Sequence, residues 1–265
     1  MIKAVILDLD RTLLNSEKGI SEYSLKVLNN CKEKGIKICI ATARPLRTTV
    51  PYLKLFPFDA AAVMNGAKVT CGANVDSTEM DKEETLNLLK KLGEMDYTVS
   101  LEMGDEVFAN KFIPDYDFKY FENFPEIPKG EAPYKILVAL ENESALKYIE
   151  SILPKSMYLT VSGGHLIQIM NKNANKWKGT LKMLGYLGIK AEETMYIGDD
   201  YDDLEPIKWC GLGVAMGNAI EKVKEAADFI TENNDSDGAV KAITKFIYLG
   251  GNKNGTGCSS ANMER

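Results

Sequence analysis

The sequence predicts an α/β protein in which a doubly wound parallel sheet is interrupted by an inserted α+β domain. Strand–helix–strand patterns predict the sheet, because they occur both at the beginning of the 265-residue chain and in its last third. The middle of the chain predicts the insertion, because it reads as hairpins and helices rather than as strands alternating with helices.

The first strand–helix–strand pattern lies at the N-terminus. Residues 4–7 form a short apolar run typical of a strand that is buried on both faces. Ser21 can cap a helix that Gly35 ends, and residues 36–41 read as the next strand. Such a unit predicts two parallel strands joined by a right-handed crossover.

The second pattern begins after residue 171. Its predicted helices are 175–187, 204–208, 220–227 and 239–246, and its predicted strands are 194–197, 212–216 and 229–231. Because both ends of the chain follow the same pattern, we expect residues 1–80 and 172–249 to form one discontinuous core domain.

The middle of the chain, residues 81–171, predicts a separate α+β domain. Its predicted helices are 81–95 and 144–153, and its predicted strands are 97–103, 106–109, 134–140, 157–162 and 165–170. Glycines at the two hairpin turns support this pairing of strands. The Gly-, Asn- and Ser-rich residues 250–265 are expected to form a flexible tail.

Composition and charge exclude several classes of partner. With a net charge of −6, the chain lacks the basic surface of a nucleic-acid-binding protein, and an anionic membrane surface would repel it. The apolar run that ends at Asp8 is too short for a secretory leader or a membrane span. The five cysteines form no C-x-x-C pair and are expected to be reduced thiols, so we expect a cytoplasmic protein.

Carboxylates follow two of the predicted parallel strands. Asp8 and Asp10 come directly after the first strand, and Asp199, Asp202 and Asp203 follow a later one. Ligands of open α/β sheets bind at the carboxyl ends of the strands, so we expect these side chains to share one cleft. So many carboxylates do not ionise together without a cation. Oxygen ligands without histidine or cysteine favour Mg²⁺ over zinc.

Two further side chains suit a phosphoryl group in the same cleft. Thr42, after the second strand, offers a hydroxyl, and Lys178, in a predicted helix, offers a cation. One carboxylate can act as the nucleophile and form an aspartyl-phosphate. A second carboxylate can protonate the leaving oxygen and then activate water.

These motifs make the sequence similar to the haloacid dehalogenase superfamily, in particular to Cof-type phosphatases with a large α/β cap (type IIB). The matching motifs are D-x-D-x-T at residues 8–12, A-T-x-R at 41–44, Lys-Gly at 178–179 and G-D-x-x-x-D at 198–203. The similarity extends from residue 2 to about residue 246 and is weakest in 81–171, which corresponds to the cap.

The resemblance implies roles for the residues of these motifs. Asp8 is then the nucleophile and Asp10 the general acid/base, and Thr42 and Lys178 bind the phosphoryl group. Mg²⁺ is then bound by Asp8, by the backbone carbonyl of Asp10 and by Asp199. Asp203 supports the site from behind these ligands.

Other residues are candidates for the same cleft. Asp202 joins the predicted metal-binding loop, although asparagine is usual in the family at its position. Thr12, Arg44, Asn65 and Gly66 are candidate substrate-binding residues. Two further departures from the family pattern stand in this cleft: Arg11 occupies a position where glycine is most common, and Ala43 replaces the usual glycine.

The predicted function is Mg²⁺-dependent hydrolysis of a small phosphorylated metabolite through an aspartyl-phosphate on Asp8. Sugar phosphates are the substrate class that the resemblance implies, and nucleotides, pyridoxal phosphate and flavin mononucleotide are the alternatives. A phosphomutase of the same superfamily would transfer the phosphoryl group to a sugar instead of water. A receiver-like phosphoacceptor module is a further alternative, although it would be about half as long and would lack a counterpart of Asp10.

Overall fold

The computed structural model describes residues 1–104, 106–112, 118–120, 133–140, 142–162 and 164–250. The chain divides into two compact units. The first comprises Met1–Ala43, Val50–Asp76 and the described residues from Lys176 onward, and the second comprises Arg44–Thr49 and Ser77–Asn175. The inserted stretch of the second unit therefore starts four residues before the predicted 81–171 domain and ends four residues after it. Within the predicted tail, residues 251–265 lie outside the described part.

An eight-stranded sheet forms the centre of the first unit. Its strands are β1 (Ala4–Leu7), β2 (Lys37–Ala41), β3 (Ala60–Val63), β4 (Lys68–Cys71), β5 (Asn74–Ser77), β12 (Thr194–Gly198), β13 (Leu212–Ala215) and β14 (Phe229–Ile230). Their order across the sheet is β14-β13-β12-β1-β2-β3-β4-β5. The pairs from β14 to β3 are parallel, and β3 pairs with β4 antiparallel. The predicted α/β fold class is thus confirmed.

Helices connect these strands. They are α1 (Glu22–Glu33), α2 (Leu46–Leu55), α5 (Lys176–Leu187), α6 (Leu204–Trp209), α7 (Glu221–Ala226) and α8 (Gly238–Ile243). Ser21 caps α1 as predicted, because its side chain accepts a hydrogen bond from the backbone N–H of Ser24 at 2.9 Å. All four residues of β1 are buried, which explains why its sequence is a continuous apolar run rather than an alternating one.

The described residues of the second unit form a six-stranded sheet, two complete helices and the first four residues of α2. The strands are β6 (Val99–Met103), β7 (Glu106–Ala109), β8 (Lys119–Tyr120), β9 (Pro133–Ala139), β10 (Met157–Ser162) and β11 (Leu166–Asn171), in the order β10-β11-β9-β6-β7-β8. The helices are α3 (Lys82–Glu94) and α4 (Glu143–Ile152), and they belong to the apolar core on one side of this sheet. The β6–β7 and β10–β11 pairs are antiparallel, and the turn residues Asp105 and Gly163 of these hairpins lie outside the described residues.

The sequence analysis assigned no element to residues 43–80, where the structure has α2, β3, β4 and β5. Pro51 lies inside α2, and β3 is rich in alanine, so neither segment carries the residues typical of its secondary structure. Among the described helices, none is long and apolar enough to cross a lipid bilayer.

Candidate active site

The candidate site lies at the carboxyl ends of the central strands of the first unit. Asp8 follows β1, Thr42 follows β2, and Asp199 follows β12. The backbone N–H of Asp8 donates to the carbonyl of Ile197 at 3.0 Å, so β1 continues to pair with β12 one residue beyond its end. The parallel sheet thus brings together side chains that are nearly 200 residues apart in sequence.

Asp8 is in contact with a buried lysine. The Nζ atom of Lys176 lies 2.9 Å from Oδ1 of Asp8 and 2.7 Å from Oδ1 of Asp203, and the lysine side chain is 3% exposed. Burial raises the pKa of Asp8 well above its ordinary value, Lys176 opposes this rise, and the carboxylates of Asp203 and Asp199 add to it. Burial lowers the pKa of Lys176, but Asp203 and Asp8 outweigh this effect and keep it above its ordinary value.

The lysine in this position is Lys176 rather than the predicted Lys178. Lys176 is the first residue of α5, whereas Lys178 is half-buried and lies two residues later, which turns it by about 200° around the helix. The Lys178–Gly179 sequence suggested Lys178, but Gly179 is needed for close packing rather than for placing Lys178 beside Asp8. A Cβ atom at Gly179 would lie 2.8 Å from the Cα of Gly66 and 3.1 Å from the Cβ of Ala62.

Asp203 has no lone pair left for a further ligand. Its Oδ1 accepts from Lys176 and from the hydroxyl of Tyr196 at 2.7 Å, and its Oδ2 accepts the backbone N–H groups of Asp199 and Asp200, each at 3.1 Å. A carboxylate offers about four lone-pair positions, so its hydrogen bonding is complete. A Cβ at Gly198 would lie 2.4 Å from Cγ of Asp203, which explains the glycine before Asp199. Asp203 therefore organises the loop around Asp199, and its hydrogen bonds suit the supporting position behind the metal ligands that the resemblance implies.

Asp199 is less completely paired. Its side chain is 2% exposed, and its Oδ1 accepts a hydrogen bond from the hydroxyl of Thr12 at 3.3 Å. Its Oδ2 is buried and accepts no hydrogen bond, and the Nε atom of Arg11 lies 3.4 Å away. Burial and the charge of Asp203 raise the pKa of Asp199 to about 7, while Lys176 and Arg11 lower it.

Asp10 forms an ion pair with Lys18, a residue that forms no hydrogen bond or ion pair with Asp8 or Asp199. Its Oδ1 accepts from Nζ of Lys18 at 2.8 Å, and about a third of its side chain is exposed. The backbone carries Lys18 to this position through a turn, because Lys18 N–H donates to the carbonyl of Asn15 and Lys18 has a φ of 62°. A partly exposed carboxylate two residues after the nucleophile candidate is accessible to water, as a general acid/base must be.

The other predicted contacts lie on a neighbouring loop. Asn65 is fully buried, its backbone N–H donates to the carbonyl of Thr42 at 3.0 Å, and its side-chain amide donates to Oδ2 of Asp202. Asn65 and Gly66 both have positive φ values, 53° and 84°. Asp202 is therefore a hydrogen-bond partner of this loop. Arg44 begins the segment Arg44–Thr49, which belongs to the second unit.

The residues present fit a magnesium ion. Among the described residues, carboxylate oxygens of Asp8, Asp199 and Asp203 lie within 4.8 Å of one another. We call these three residues together with Lys176 the acidic cluster. Because Asp203 is fully hydrogen-bonded, Asp8 and Asp199 are the side chains that could bind the ion. The buried Oδ2 of Asp199, which accepts no hydrogen bond, and a donor set of oxygens alone both suit Mg²⁺.

Comparison with known proteins decides the family. A family model for haloacid dehalogenase-like hydrolases matches residues 5–243. The chain belongs to this family. The 5-amino-6-(5-phospho-D-ribitylamino)uracil phosphatase YcsE of Bacillus subtilis is 30% identical over 253 residues, which cover 93% of this chain and 96% of that protein.

Solved structures of haloacid dehalogenase-like hydrolases agree with this assignment. The phosphatase BT1666 of Bacteroides thetaiotaomicron has a TM-score of 0.84 at 28% identity, covering 93% of this chain and 95% of that one. The HAD subclass IIB sugar phosphatase BT4131 has a TM-score of 0.81 at 26% identity, covering 92% and 98%. The predicted superfamily is therefore confirmed, and the chain is an enzyme of the hydrolase class.

A second buried polar group, which the sequence analysis missed, lies in the second unit of this haloacid dehalogenase-like hydrolase. Glu102 on β6 is paired in register with Lys135 on β9, and Nζ of Lys135 donates to Oε1 of Gln168 on β11 at 3.0 Å. We call these three residues the second-unit polar cluster. All three are at most 5% exposed, and Oε2 of Glu102 accepts no hydrogen bond. Burial raises the pKa of Glu102, whereas Lys135 and Arg47 lower it.

Proposed function

We propose that this protein is a Mg²⁺-dependent phosphatase that hydrolyses a small phosphorylated metabolite through an aspartyl-phosphate on Asp8. The observation that carries the proposal is the position of Asp8, which lies at a strand end, in contact with Lys176 and beside Asp199. The relatives named above are phosphatases, which supports the same reaction class.

The first step would transfer the phosphoryl group to the protein. A carboxylate oxygen of Asp8 attacks phosphorus, the bond from phosphorus to the leaving oxygen breaks, and Asp10 gives that oxygen a proton. Lys176 and the buried hydroxyl of Thr42 would orient the phosphoryl oxygens. Mg²⁺ bound by Asp8, Asp199 and the backbone carbonyl of Asp10 would neutralise negative charge on the phosphoryl oxygens.

The second step would release phosphate. Asp10, now ionised, takes a proton from water while the water oxygen attacks phosphorus. The bond between phosphorus and Asp8 then breaks, and Asp8 returns as a carboxylate. This double use of Asp10 explains why a second carboxylate stands two residues after the nucleophile, and it argues against a receiver-like module, which preserves its acyl-phosphate.

Sugar phosphates are the proposed substrate class. One relative is named as a sugar phosphatase, and another acts on a ribitylamino phosphate, so both substrates carry a phosphate on a polyhydroxylated chain. We also propose that the second unit acts as a lid that excludes water and supplies substrate contacts.

A phosphate-release screen over phosphorylated metabolites, with and without EDTA, tests the proposal. We expect release without any sugar acceptor, because water accepts the phosphoryl group, and we expect EDTA to abolish it. A phosphomutase would instead require a sugar acceptor.

Asp8→Asn tests the nucleophile. This variant should lose turnover while its circular dichroism spectrum and urea denaturation stay native-like. A purified, folded variant that keeps near-complete activity would show that Asp8 is not the nucleophile.

A further inference from the structure

Arg11 has an unusual backbone conformation in the turn after Asp8. Its φ is 58° and its ψ is 12°, which lies in the left-handed region that favours glycine. A long cationic side chain is therefore present where the backbone alone would select the smallest residue. Such a conformation persists only when surrounding contacts compensate for it.

Asn218 supplies those contacts. The guanidinium of Arg11 donates from Nη2 to the backbone carbonyl of Asn218 at 2.8 Å, and the side-chain amide of Asn218 donates to the carbonyl of Arg11 at 2.8 Å. Asn218 is itself fixed, because its Oδ1 accepts from the backbone N–H of Asn234 at 3.0 Å. This reciprocal pair directs Nε of Arg11 toward Oδ2 of Asp199, at 3.4 Å.

The guanidinium and a divalent cation would use the same oxygen. Oδ2 of Asp199 is buried and accepts no hydrogen bond, so Arg11 is the cation that compensates it in the metal-free protein. The side chain of Arg11 is 54% exposed, so it can move into solvent without crossing a packed core. Two cations at one carboxylate oxygen repel each other, and binding one weakens binding of the other.

We propose that Arg11 is an internal competitor of the divalent cation at Asp199. In the metal-free protein the guanidinium neutralises Asp199, and metal binding displaces it toward solvent. The divalent affinity is therefore lower than the carboxylates alone would give. This inference rests on the proposed function only in taking Asp199 as a metal ligand.

Metal binding by the full-length protein, measured without turnover, tests the competition. Mn²⁺ serves as the probe, and its free concentration is followed by electron paramagnetic resonance for the wild type, Arg11→Gln and Arg11→Gly. Arg11→Gln removes the charge but keeps a side chain at a position with left-handed backbone. Arg11→Gly removes the charge and the side chain. Lys18→Gln is the matched control, because it removes a cation that pairs with Asp10 instead.

We expect both Arg11 variants to bind Mn²⁺ about fivefold more tightly than the wild type, the factor that corresponds to one partly exposed ion pair, and Lys18→Gln to stay within about twofold. The chain has four arginines, so the Nε resonance of Arg11 can be assigned with Arg11→Gln, and it should shift when Mg²⁺ is added.

Three results would overturn the competition: unchanged Mn²⁺ affinity in both Arg11 variants, tightening in Arg11→Gly alone, or equal tightening in Lys18→Gln. Tightening in Arg11→Gly alone would assign the effect to the backbone. Absence of Mn²⁺ binding in all four proteins would overturn the metal-dependent function as well, so the two failures are distinguishable.

Discussion

The two buried polar groups of the molecule differ in how their charges are balanced. The acidic cluster places three carboxylates around one ammonium group, that of Lys176. The second-unit polar cluster places one carboxylate, that of Glu102, opposite one ammonium and one amide. Both are as buried as apolar core, so burial alone does not separate a reactive site from a structural one.

The two clusters differ in the balance between negative and positive charge. A buried charge is tolerated when it is paired, and the second-unit polar cluster approaches that condition within itself. The acidic cluster does not, because one lysine cannot compensate three carboxylates. Burial raises the pKa values of Asp8 and Asp199, and the charge of Asp203 adds to the rise at both. Lys176 and Arg11 together place two positive charges beside three carboxylates, and the remaining negative charge marks the place where a cation is expected.

The largest expected effect comes from removing the lysine of each cluster. Lys176→Met should destabilise the protein by about 3–5 kcal/mol, because it leaves buried carboxylates without their cation, and should reduce phosphate release by roughly 10²-fold or more. Lys135→Met should also destabilise, but kcat for a small substrate should stay within about threefold. Urea denaturation and phosphate-release kinetics measure both.

Lys178→Met is the control for the lysine comparison. Because Lys178 is only half-buried, its replacement should change stability by no more than about 0.5–1 kcal/mol. If Lys178→Met is as damaged as Lys176→Met, the assignment of the cluster lysine to Lys176 is wrong.

A smaller effect is expected in the pH dependence of stability. In the unfolded chain Asp199 ionises near its ordinary pKa of 3.8, whereas in the metal-free folded protein it keeps its proton up to about pH 7. Its contribution to stability is therefore complete below about pH 4 and is lost as the pH rises through 7. Over that range the wild type should lose roughly 2–4 kcal/mol that Asp199→Asn does not lose.

Urea denaturation from pH 4 to 8, with EDTA or with Mg²⁺, measures this loss. Mg²⁺ should restore the stability of the wild type at high pH and leave that of Asp199→Asn nearly unchanged. Identical pH profiles for the two proteins in EDTA would contradict the raised pKa of Asp199.

The smallest effect is expected at Asp202. Asp202→Asn can still accept the hydrogen bond from Asn65 through its amide oxygen, so activity and Mg²⁺ dependence should stay within about threefold of the wild type. Asp199→Asn, assayed alongside, should lose most activity because it removes the charge of a proposed metal ligand. Equal damage in both variants would make Asp202 an essential metal ligand.

Much of the acidic cluster could be predicted because the ends of buried parallel strands can be recognised in the sequence. Asp8, Thr42 and Asp199 each follow a continuous apolar run, and parallel strands bring such positions to one edge of the sheet. The lysine could not be chosen this way, since two lysines stand within three residues at the start of α5. Only the rotation of the helix decides between Lys176 and Lys178.

The second-unit polar cluster could not be predicted because polar residues within strands usually face solvent. Glu102, Lys135 and Gln168 each lie between two hydrophobic residues of their strands, and this local sequence does not distinguish a buried polar side chain from a solvent-facing one. Their burial follows from tertiary packing, which no local pattern reports. The same limit applies to β3, which is rich in alanine, and to α2, which contains a proline. Neither has the residues typical of its secondary structure.

The point at which the chain re-enters the first unit affects how easily the inserted segment can be exchanged. Lys176 is the first residue of the first unit after Asn175, and its side chain is fixed by Asp8 and Asp203. The inserted sequence is thus closed off by a buried ion pair directly at its boundary. We therefore expect that segments of different length and composition can be exchanged between Asp76 and Lys176 while the residues around Asp8 keep their positions.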